Sequence, residues 1–146
     1  MPTPKARSRR NASISRPAAE PPVDPSLGGW KIRQGHAEVR DGVVVTTGNG
    51  QTFLGVAAGV SGPAMITARI RGVASQPGKV EWIRPNAQPQ SAAWKLMGDD
   101  WQELRVEIPV EGPLGILRLY LPADARRLEI DQVELRAAER TRRWEF

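Results

Sequence analysis

A chain of 146 residues with 40% apolar composition suits one domain with a modest core. It has no cysteine, which excludes disulfides, thiolate metal sites and cysteine nucleophiles. Its net charge of +5 divides into +3 over residues 1–29 and +2 over residues 30–146. A domain so nearly balanced has no obvious footprint for a phosphate backbone, and no apolar run reaches the roughly 18 residues of a membrane span.

Residues 1–29 are the first predicted unit, a disordered basic arm or linker. They hold six prolines and no aromatic residue, so they can neither bury much apolar surface nor sustain a helix. Arg9 and Arg10 form a twin-arginine pair, but a polar, proline-broken stretch follows, and this argues against a signal peptide. The chain therefore leaves its localisation unknown.

Residues 30–146 are the second predicted unit, and their apolar residues recur with a period of two. Ala37 and Val39, then Val43 and Val45, flank Asp41-Gly42 and predict a two-residue hairpin. Further strands are predicted around residues 53–57, 64–70, 80–82, 92–96, 101–110, 114–121 and 128–135, the last with a bulge at Asp131-Gln132. About nine short strands and no helix predict an all-β sandwich of the jelly-roll type.

No constellation of residues in this pattern predicts catalysis. The chain has a single histidine, His36, and no G-x-S-x-G elbow, whereas acid–base or metal chemistry normally needs a second partner group. Glu129 and Asp131 share a strand face, but a glycosidase also requires a facing carboxylate at the right separation. The sequence therefore predicts no catalytic residue.

The loop carboxylates raise the question of a metal. Asp99 and Asp100 lie in a glycine-led turn, where a polar turn role is the default. Structural calcium is the alternative, with Asp24, Glu38 and Asp41 as further oxygen donors. No EF-hand spacing is present, so no cofactor and no metal residue are predicted, and calcium stays an open alternative.

The aromatic residues suggest a ligand. Five tryptophans invite a carbohydrate hypothesis, but the strand parity of Trp82, Trp94 and Trp101 predicts that most of the five are core anchors. Tyr120 lies on the face opposite Leu117 and Leu119 and is the better exposed candidate. Arg84, at a strand end, could pair with a sulfate or carboxylate group. Tyr120 and Arg84 are the predicted ligand-binding residues.

Several segments together are similar to a known module. They are Gly55–Pro63, Gly78–Trp82, Gly98–Glu103, Gly112–Pro122 and Leu128–Leu135, followed by the closing Arg142–Phe146. Across residues 30–146 the chain resembles the C-terminal accessory domain of bacterial arylsulfatase-type sulfatases. The resemblance implies a galactose-binding-like jelly roll, a sulfatase catalytic domain as partner, and a family that is typically exported.

The chain departs from sulfatases at the reaction itself. These enzymes convert the Cys or Ser of a C/S-x-P-x-R sequence into formylglycine, and no residue of this chain begins that pattern. We therefore expect a non-catalytic accessory module that binds glycans, including sulfated polysaccharides, or packs on a catalytic partner through an exposed apolar patch. The alternatives are a sulfatase name inherited from the full-length family, and a nucleic-acid binder that uses the basic residues 5–16, which the charge distribution does not favour.

Overall fold

The computed structural model describes residues 27–47, 51–125 and 127–146. These ranges contain eleven β-strands and no α-helix. The strands are β1 (Lys31–Gln34), β2 (His36–Arg40), β3 (Val43–Thr47), β4 (Phe53–Ala57), β5 (Ser61–Gly72), β6 (Gly78–Ile83), β7 (Gln90–Trp94), β8 (Gln102–Pro113), β9 (Ile116–Tyr120), β10 (Leu128–Ala137) and β11 (Thr141–Glu145). No helix in the described ranges is long and apolar enough to cross a membrane.

The strands form two antiparallel sheets. The five-stranded sheet has the order β1-β4-β9-β6-β7, and the six-stranded sheet has the order β2-β3-β10-β5-β8, with β11 paired to β10. The predicted all-β sandwich is confirmed. There are more strands than the predicted nine because β1 and β11 are short and mainly polar, so they lack the alternation by which the others were found.

The core lies between the two sheets and is built from alternate residues of the strands. On β9, Leu117 and Leu119 are buried, and on β6 Val80 and Trp82 are buried. The six-stranded sheet contributes the matching set from β5, β8 and β10, including Ile66, Ile70, Leu104, Val106, Ile108, Leu128, Ile130, Val133 and Leu135. Period-two burial of this kind leaves the intervening residues of each strand on the outer faces of the sandwich.

The predicted β2–β3 hairpin is present, but the valine of β3 that faces the core between the sheets differs from the two that were predicted. Asp41 and Gly42 occupy its turn with φ values of 51° and 81°, as a type I′ turn requires. Val39 lies opposite Val44, and Val44 belongs to the core cluster between the sheets. Val45 is buried as well but is not a member of that cluster, and Val43 is half-buried. A two-residue turn reverses parity between the strands, and three consecutive valines could not reveal which one faced inward.

The bulge predicted in β10 is also present, because the register with β5 shifts between Ile130 and Gln132. It changes which residues face the core: Ile130 is inward before the shift, and Val133 is inward after it. The strand therefore keeps a buried face on both sides of the irregularity.

The amino-terminal end of the core precedes the predicted boundary at Trp30. Leu27 is buried and belongs to the core cluster. Trp144 of β11 donates its indole N–H to the Gly28 carbonyl at 2.9 Å and meets Trp30 edge to face at 5.3 Å. Residues 27–29 therefore belong to the sandwich. The other residues of the predicted arm, with Arg9, Arg10 and Asp24, lie outside the described residues.

Four of the five tryptophans are buried, as predicted for most of them: Trp30, Trp82, Trp94 and Trp144. Trp101 is different. It precedes β8 with the parity of that strand's outward residues and is only half-buried, and the guanidinium carbons of Arg69 and Arg71 each lie 4.7 Å from its ring centroid. It covers the outer surface of the six-stranded sheet and does not anchor the core.

Candidate functional site

The outer surface of the five-stranded sheet carries the most varied side chains of the described fold. We call it the Tyr120 face. It is formed by Arg33 of β1, Phe53, Gly55 and Ala57 of β4, Ile116, Arg118 and Tyr120 of β9, and Lys79, Glu81 and Ile83 of β6. Tyr120 was predicted to face away from the core, and the burial of Leu117 and Leu119 beside it confirms that orientation.

Two aromatic rings are stacked against each other at one end of this face. Tyr120 lies opposite Phe53 across the β9–β4 pair, and the ring centroids are 4.4 Å apart with an interplanar angle of 20°. The ammonium group of Lys79 lies 4.6 Å from the Tyr120 centroid. Since Phe53 and Lys79 both lie over the tyrosine ring, its remaining contact surface is the ring edge and the hydroxyl group.

A carboxylate links the aromatic pair to a guanidinium. Glu81 accepts hydrogen bonds from the Tyr120 hydroxyl at 3.3 Å and from Arg118 Nη1 at 3.4 Å. The Glu81 side chain is 14% exposed and that of Arg118 is 34% exposed. Both are held on the sheet and remain within reach of a ligand, so they form a preorganised polar centre.

Gly55 makes a shallow trough in the middle of the face. A Cβ atom built on Gly55 would lie 3.6 Å from Cγ of Arg33 and 3.8 Å from Cγ of Arg118. The two arginine stems therefore converge above this residue, one from the edge strand β1 and one from β9. Because Gly55 has no side chain, both stems lie close to the sheet.

The far end of the face is apolar. Ile116 lies opposite Ala57 on one side and Ile83 on the other, and it is 46% exposed. An exposed apolar patch was expected for a module that packs on a partner. Two further large apolar side chains are exposed among the described residues, Val73 and Met97, and both lie in loops.

Arg84 lies beyond this apolar end. Its Nη1 donates to the Glu111 carbonyl at 3.2 Å, and its Nε is buried without a hydrogen-bond partner in the part of the chain that is described. A cavity of about 620 Å³ lined by residues 83–88 and 115–116 adjoins it. Tyr120 pairs with Lys79, five residues from Arg84, or roughly 17 Å along a strand. The structure therefore does not bring the two predicted ligand residues together.

The carboxylates weighed for catalysis are engaged in ion pairs with arginines. Arg71 donates to Glu129 at 2.8 Å, and Arg69 donates to Asp131 at 3.2 Å. Hydrogen bonds from Arg71, with its charge and that of Arg127, hold the pKa of Glu129 below its ordinary range despite partial burial. A glycosidase acid needs a raised pKa, so Glu129 is unsuited to that role. His36 is exposed on β2.

No three His, Asp or Glu side chains among the described residues cluster as a metal site. Asp100 accepts a hydrogen bond from the Trp101 amide at 2.7 Å, a turn contact, and Glu38 is paired with Arg40. Asp99 lines a groove of about 730 Å³ with Asp124, whose carboxylate is bonded to Ser75 and Gln76. The described oxygen donors considered for calcium thus belong to different elements, with Glu38 on β2, Asp41 in the β2–β3 turn, and Asp99 and Asp100 in the loop before β8.

The outer surface of the six-stranded sheet differs from the Tyr120 face in the arrangement of its charges. Its arginines and carboxylates form seven ion pairs between described residues: Arg40–Glu38, Arg69–Asp131, Arg71–Glu129, Arg105–Glu103, Arg127–Glu129, Arg136–Glu134 and Arg143–Glu145. Five of these pairs join residues two apart in sequence, and two cross between β5 and β10, so opposite charges neutralise one another locally. This surface therefore presents little uncompensated charge.

Sequence reasoning missed most of the residues that surround Tyr120. Phe53 was read only as part of an apolar run, and Arg33, Lys79, Glu81 and Arg118 carried no motif. Except for Arg33, whose strand β1 was not predicted, their parity was available from the sequence, since each alternates with core residues. Which strands lie beside β9 was not available, and this pairing is what assembles the face.

Comparisons with known proteins bear on the fold. No family model and no curated protein matches the sequence. Among solved structures, the chain is similar to the CBM22-1 xylan-binding domain from Paenibacillus barcinonensis Xyn10C, at 20% identity and a TM-score of 0.53, over 74% of this chain and 85% of that one. The likeness shows the fold. It is the β-sandwich seen in carbohydrate-binding modules.

A larger, two-module structure gives a similar TM-score at a lower sequence identity. It is the CBM22-1–GH10 module pair of Clostridium thermocellum xylanase 10B, complexed with xylohexaose, at 10% identity and a TM-score of 0.54. The similarity covers 75% of this chain and 26% of that one. The present chain therefore spans about a quarter of that structure.

Proposed function

We propose that this chain is a non-catalytic glycan-binding module and that the Tyr120 face is its binding surface. The observation that carries the proposal is the joining of Tyr120, Glu81 and Arg118 by hydrogen bonds on an open sheet face. Glycans present hydroxyl groups beside apolar C–H surfaces. A site that combines phenol, carboxylate and guanidinium groups with aromatic carbon is chemically suited to them.

The two similar structures support the same proposal. One is described as a xylan-binding domain, and the other was solved with xylohexaose. What they have in common with this chain is the sandwich, which offers a broad, rigid sheet surface. The residues of the Tyr120 face give the chemical reason for extending glycan binding to this chain, because function depends on the site and not on the fold alone.

Extended ligands suit the layout of the face. The stacked rings of Tyr120 and Phe53 are at one end, the Glu81–Arg118 pair is in the middle, and Ile116 is at the other. These groups occupy alternate positions along β9, so they span four residues, roughly 14 Å. A ligand of several sugar units would contact all three zones, whereas a monosaccharide would contact one.

The proposal is tested by measuring the binding of the full chain to a panel of neutral and charged polysaccharides. Affinity electrophoresis and calorimetry provide the measurement. Tyr120→Ala removes the ring edge, the hydroxyl group and the Glu81 contact together, and we expect the affinity to fall about tenfold or more, as loss of a binding hot-spot residue does. Trp101→Ala is the matched control, because it truncates a half-buried aromatic residue on the opposite sheet.

Both variants are first compared with the parent chain by thermal melting, so that a loss of fold is not taken for a loss of site. Equal losses of binding in Tyr120→Ala and Trp101→Ala, with both folded, would place the site elsewhere. A chain that binds no polysaccharide on the panel would refute the proposal altogether.

Packing on a catalytic partner is the second candidate, and attachment to a sulfatase remains a prediction from sequence resemblance. The observation in its favour is the exposure of Val73 and Met97, at 67% and 80%, in two loops. Co-purification of the full chain with a separately expressed sulfatase catalytic domain, weakened by Met97→Ser, would support it. Absence of any complex at micromolar concentrations would exclude a stable contact.

A further inference from the structure

The fold separates charges that are nearly balanced in the sequence. Residues 30–146 have a formal net charge of only +2. On the six-stranded sheet, most of the arginines are paired with carboxylates. The Tyr120 face combines the cations of Arg33, Lys79 and Arg118, with Lys31 opposite Gly55 on the edge strand, and one carboxylate, Glu81, among its described residues. The excess positive charge is thus concentrated on the surface proposed to bind glycans.

Arg33 is the most available of these cations. It is exposed on the edge strand β1, and it makes no ion pair within the described ranges. Its stem lies over Gly55 beside that of Arg118. A guanidinium has five N–H donors in a planar fork that fits a carboxylate or sulfate group. The Cγ atoms of Arg33 and Arg118 both lie over Gly55, so this face offers two such forks to an anionic ligand.

Arg118 and Lys79 keep donors free for a ligand. The Arg118 contact to Glu81 is a single long one, at 3.4 Å through Nη1, so most of its N–H groups remain available. Lys79 lies over the Tyr120 ring, 4.6 Å from the centroid, and a cation–π contact does not use up its N–H donors. Each cation is held in place by a contact that leaves it charged and accessible.

The Tyr120 ring, in contrast, offers little to a neutral glycan. Phe53 and Lys79 both lie over the Tyr120 ring, so a sugar ring cannot stack on it without displacing one of them. Polar and ionic contacts are left as the main source of affinity.

We infer that the ligand of this face is an anionic polysaccharide, one whose sugars carry carboxylate or sulfate groups that bind Arg33, Arg118 and Lys79. This inference rests on the proposed function and narrows its ligand class. Carboxylate and sulfate have the same recognition chemistry here, since both accept paired hydrogen bonds from a guanidinium. The two sources are separated by the ligands chosen for the test.

The test uses the full chain with polygalacturonate for carboxylate, dextran sulfate for sulfate ester, and unsubstituted xylan and dextran as neutral probes. We expect saturable binding to at least one anionic polysaccharide, at least tenfold tighter than to either neutral one. Binding should weaken as salt is raised, because exposed charge pairs are screened.

The decisive comparison is between two charge-matched double variants. Arg33→Gln with Lys79→Gln removes two charges from the Tyr120 face. Arg105→Gln with Arg136→Gln removes two from the six-stranded sheet, at side chains that are 62% and 68% exposed. We expect the first to lower anionic affinity about three- to tenfold, as loss of two exposed charge contacts would. The second should leave it within about twofold.

The outcomes separate the inference from the proposed function. If xylan binds as tightly as the anionic polymers and only Tyr120→Ala abolishes binding, the ligand class is wrong and the glycan-binding proposal stands. If neither class binds, both fail. A duplex DNA is included as a competitor, and equal affinity for DNA with the same variant response would show a general polyanion surface and overturn the inference.

Discussion

Two glycines of the five-stranded sheet should respond in opposite directions to the same substitution. Gly55 and Gly78 lie in strands β4 and β6, and neither has a positive φ. A Cβ on Gly55 points to the outer face, where its nearest neighbours are Cγ of Arg33 and the Leu117 carbonyl, each at 3.6 Å. These are ordinary van der Waals distances, so alanine fits without displacement.

Gly55→Ala should therefore stabilise the chain. Alanine in a strand interior has less conformational freedom to lose on folding than glycine, a difference of about 0.5–1 kcal/mol. For a domain of this size the melting temperature should rise by about 2–5 °C. The trough remains open above the methyl group, so the arginine stems keep their positions.

Gly78→Ala should destabilise it. A Cβ on Gly78 would lie 2.4 Å from Cζ2 of Trp94 and 2.5 Å from the Tyr120 carbonyl. Trp94 is buried, so its ring cannot swing into solvent, and the backbone carbonyl cannot yield. Overpacking of this kind costs about 1–3 kcal/mol.

Urea denaturation followed by tryptophan fluorescence measures both variants against the parent chain, at constant m-value. The difference between them should be about 1.5–4 kcal/mol. A Gly55→Ala variant that is less stable than the parent, or a Gly78→Ala variant that is equally stable, would refute the assignment of these two residues to opposite sides of the sheet.

Two further predictions concern stability. Thr46→Val should lower the free energy of unfolding by about 1–3 kcal/mol, because the buried Thr46 hydroxyl accepts a hydrogen bond from the Leu128 amide at 2.9 Å and valine would leave that donor unpaired. Thr46→Ser should retain most of the parent stability in the same urea assay. A valine variant as stable as the parent would contradict the contact. Stability should also fall in acid, below about pH 4. Hydrogen bonds from Arg71 lower the pKa of Glu129, and hydrogen bonds from Ser75 lower the pKa of Asp124. A carboxyl group whose pKa is depressed in the folded state stabilises the fold only while it is ionised. Melting temperatures of Arg71→Gln should decline less steeply with falling pH than those of the parent, and parallel curves would argue against the Glu129 contribution.

Much of the fold followed from local pattern. The alternation Ala64, Ile66, Ala68, Ile70 gave strand β5 and its buried face, and the slip at Asp131-Gln132 gave the bulge. Trp101 shows the limit of the same reasoning. It precedes a strand with a clear core face, yet it lies one residue off that face and packs against Arg69 and Arg71 from the neighbouring strand.

The candidate site could be predicted only in part. The outward orientation of Tyr120 follows from its alternation with Leu117 and Leu119, and this needs no partner strand. The groups around it come from β4 and β6, which lie far away in the sequence. Arg84 is at a strand end near Ile83, and parity alone could not tell that it lies beyond the apolar end of the face.

What the sequence by itself determined is the class of architecture and, for most of the predicted strands, the side that faces the core, because period-two alternation is a local property of an extended chain. Only the tertiary structure decided which strands are neighbours. That pairing brings Arg33, Lys79 and Arg118 to one surface and places seven arginine–carboxylate ion pairs of the described residues on the other. A net charge that looked featureless along the chain thereby becomes a distinct electropositive face, because electrostatic potential depends on distances in space and not on separation in sequence.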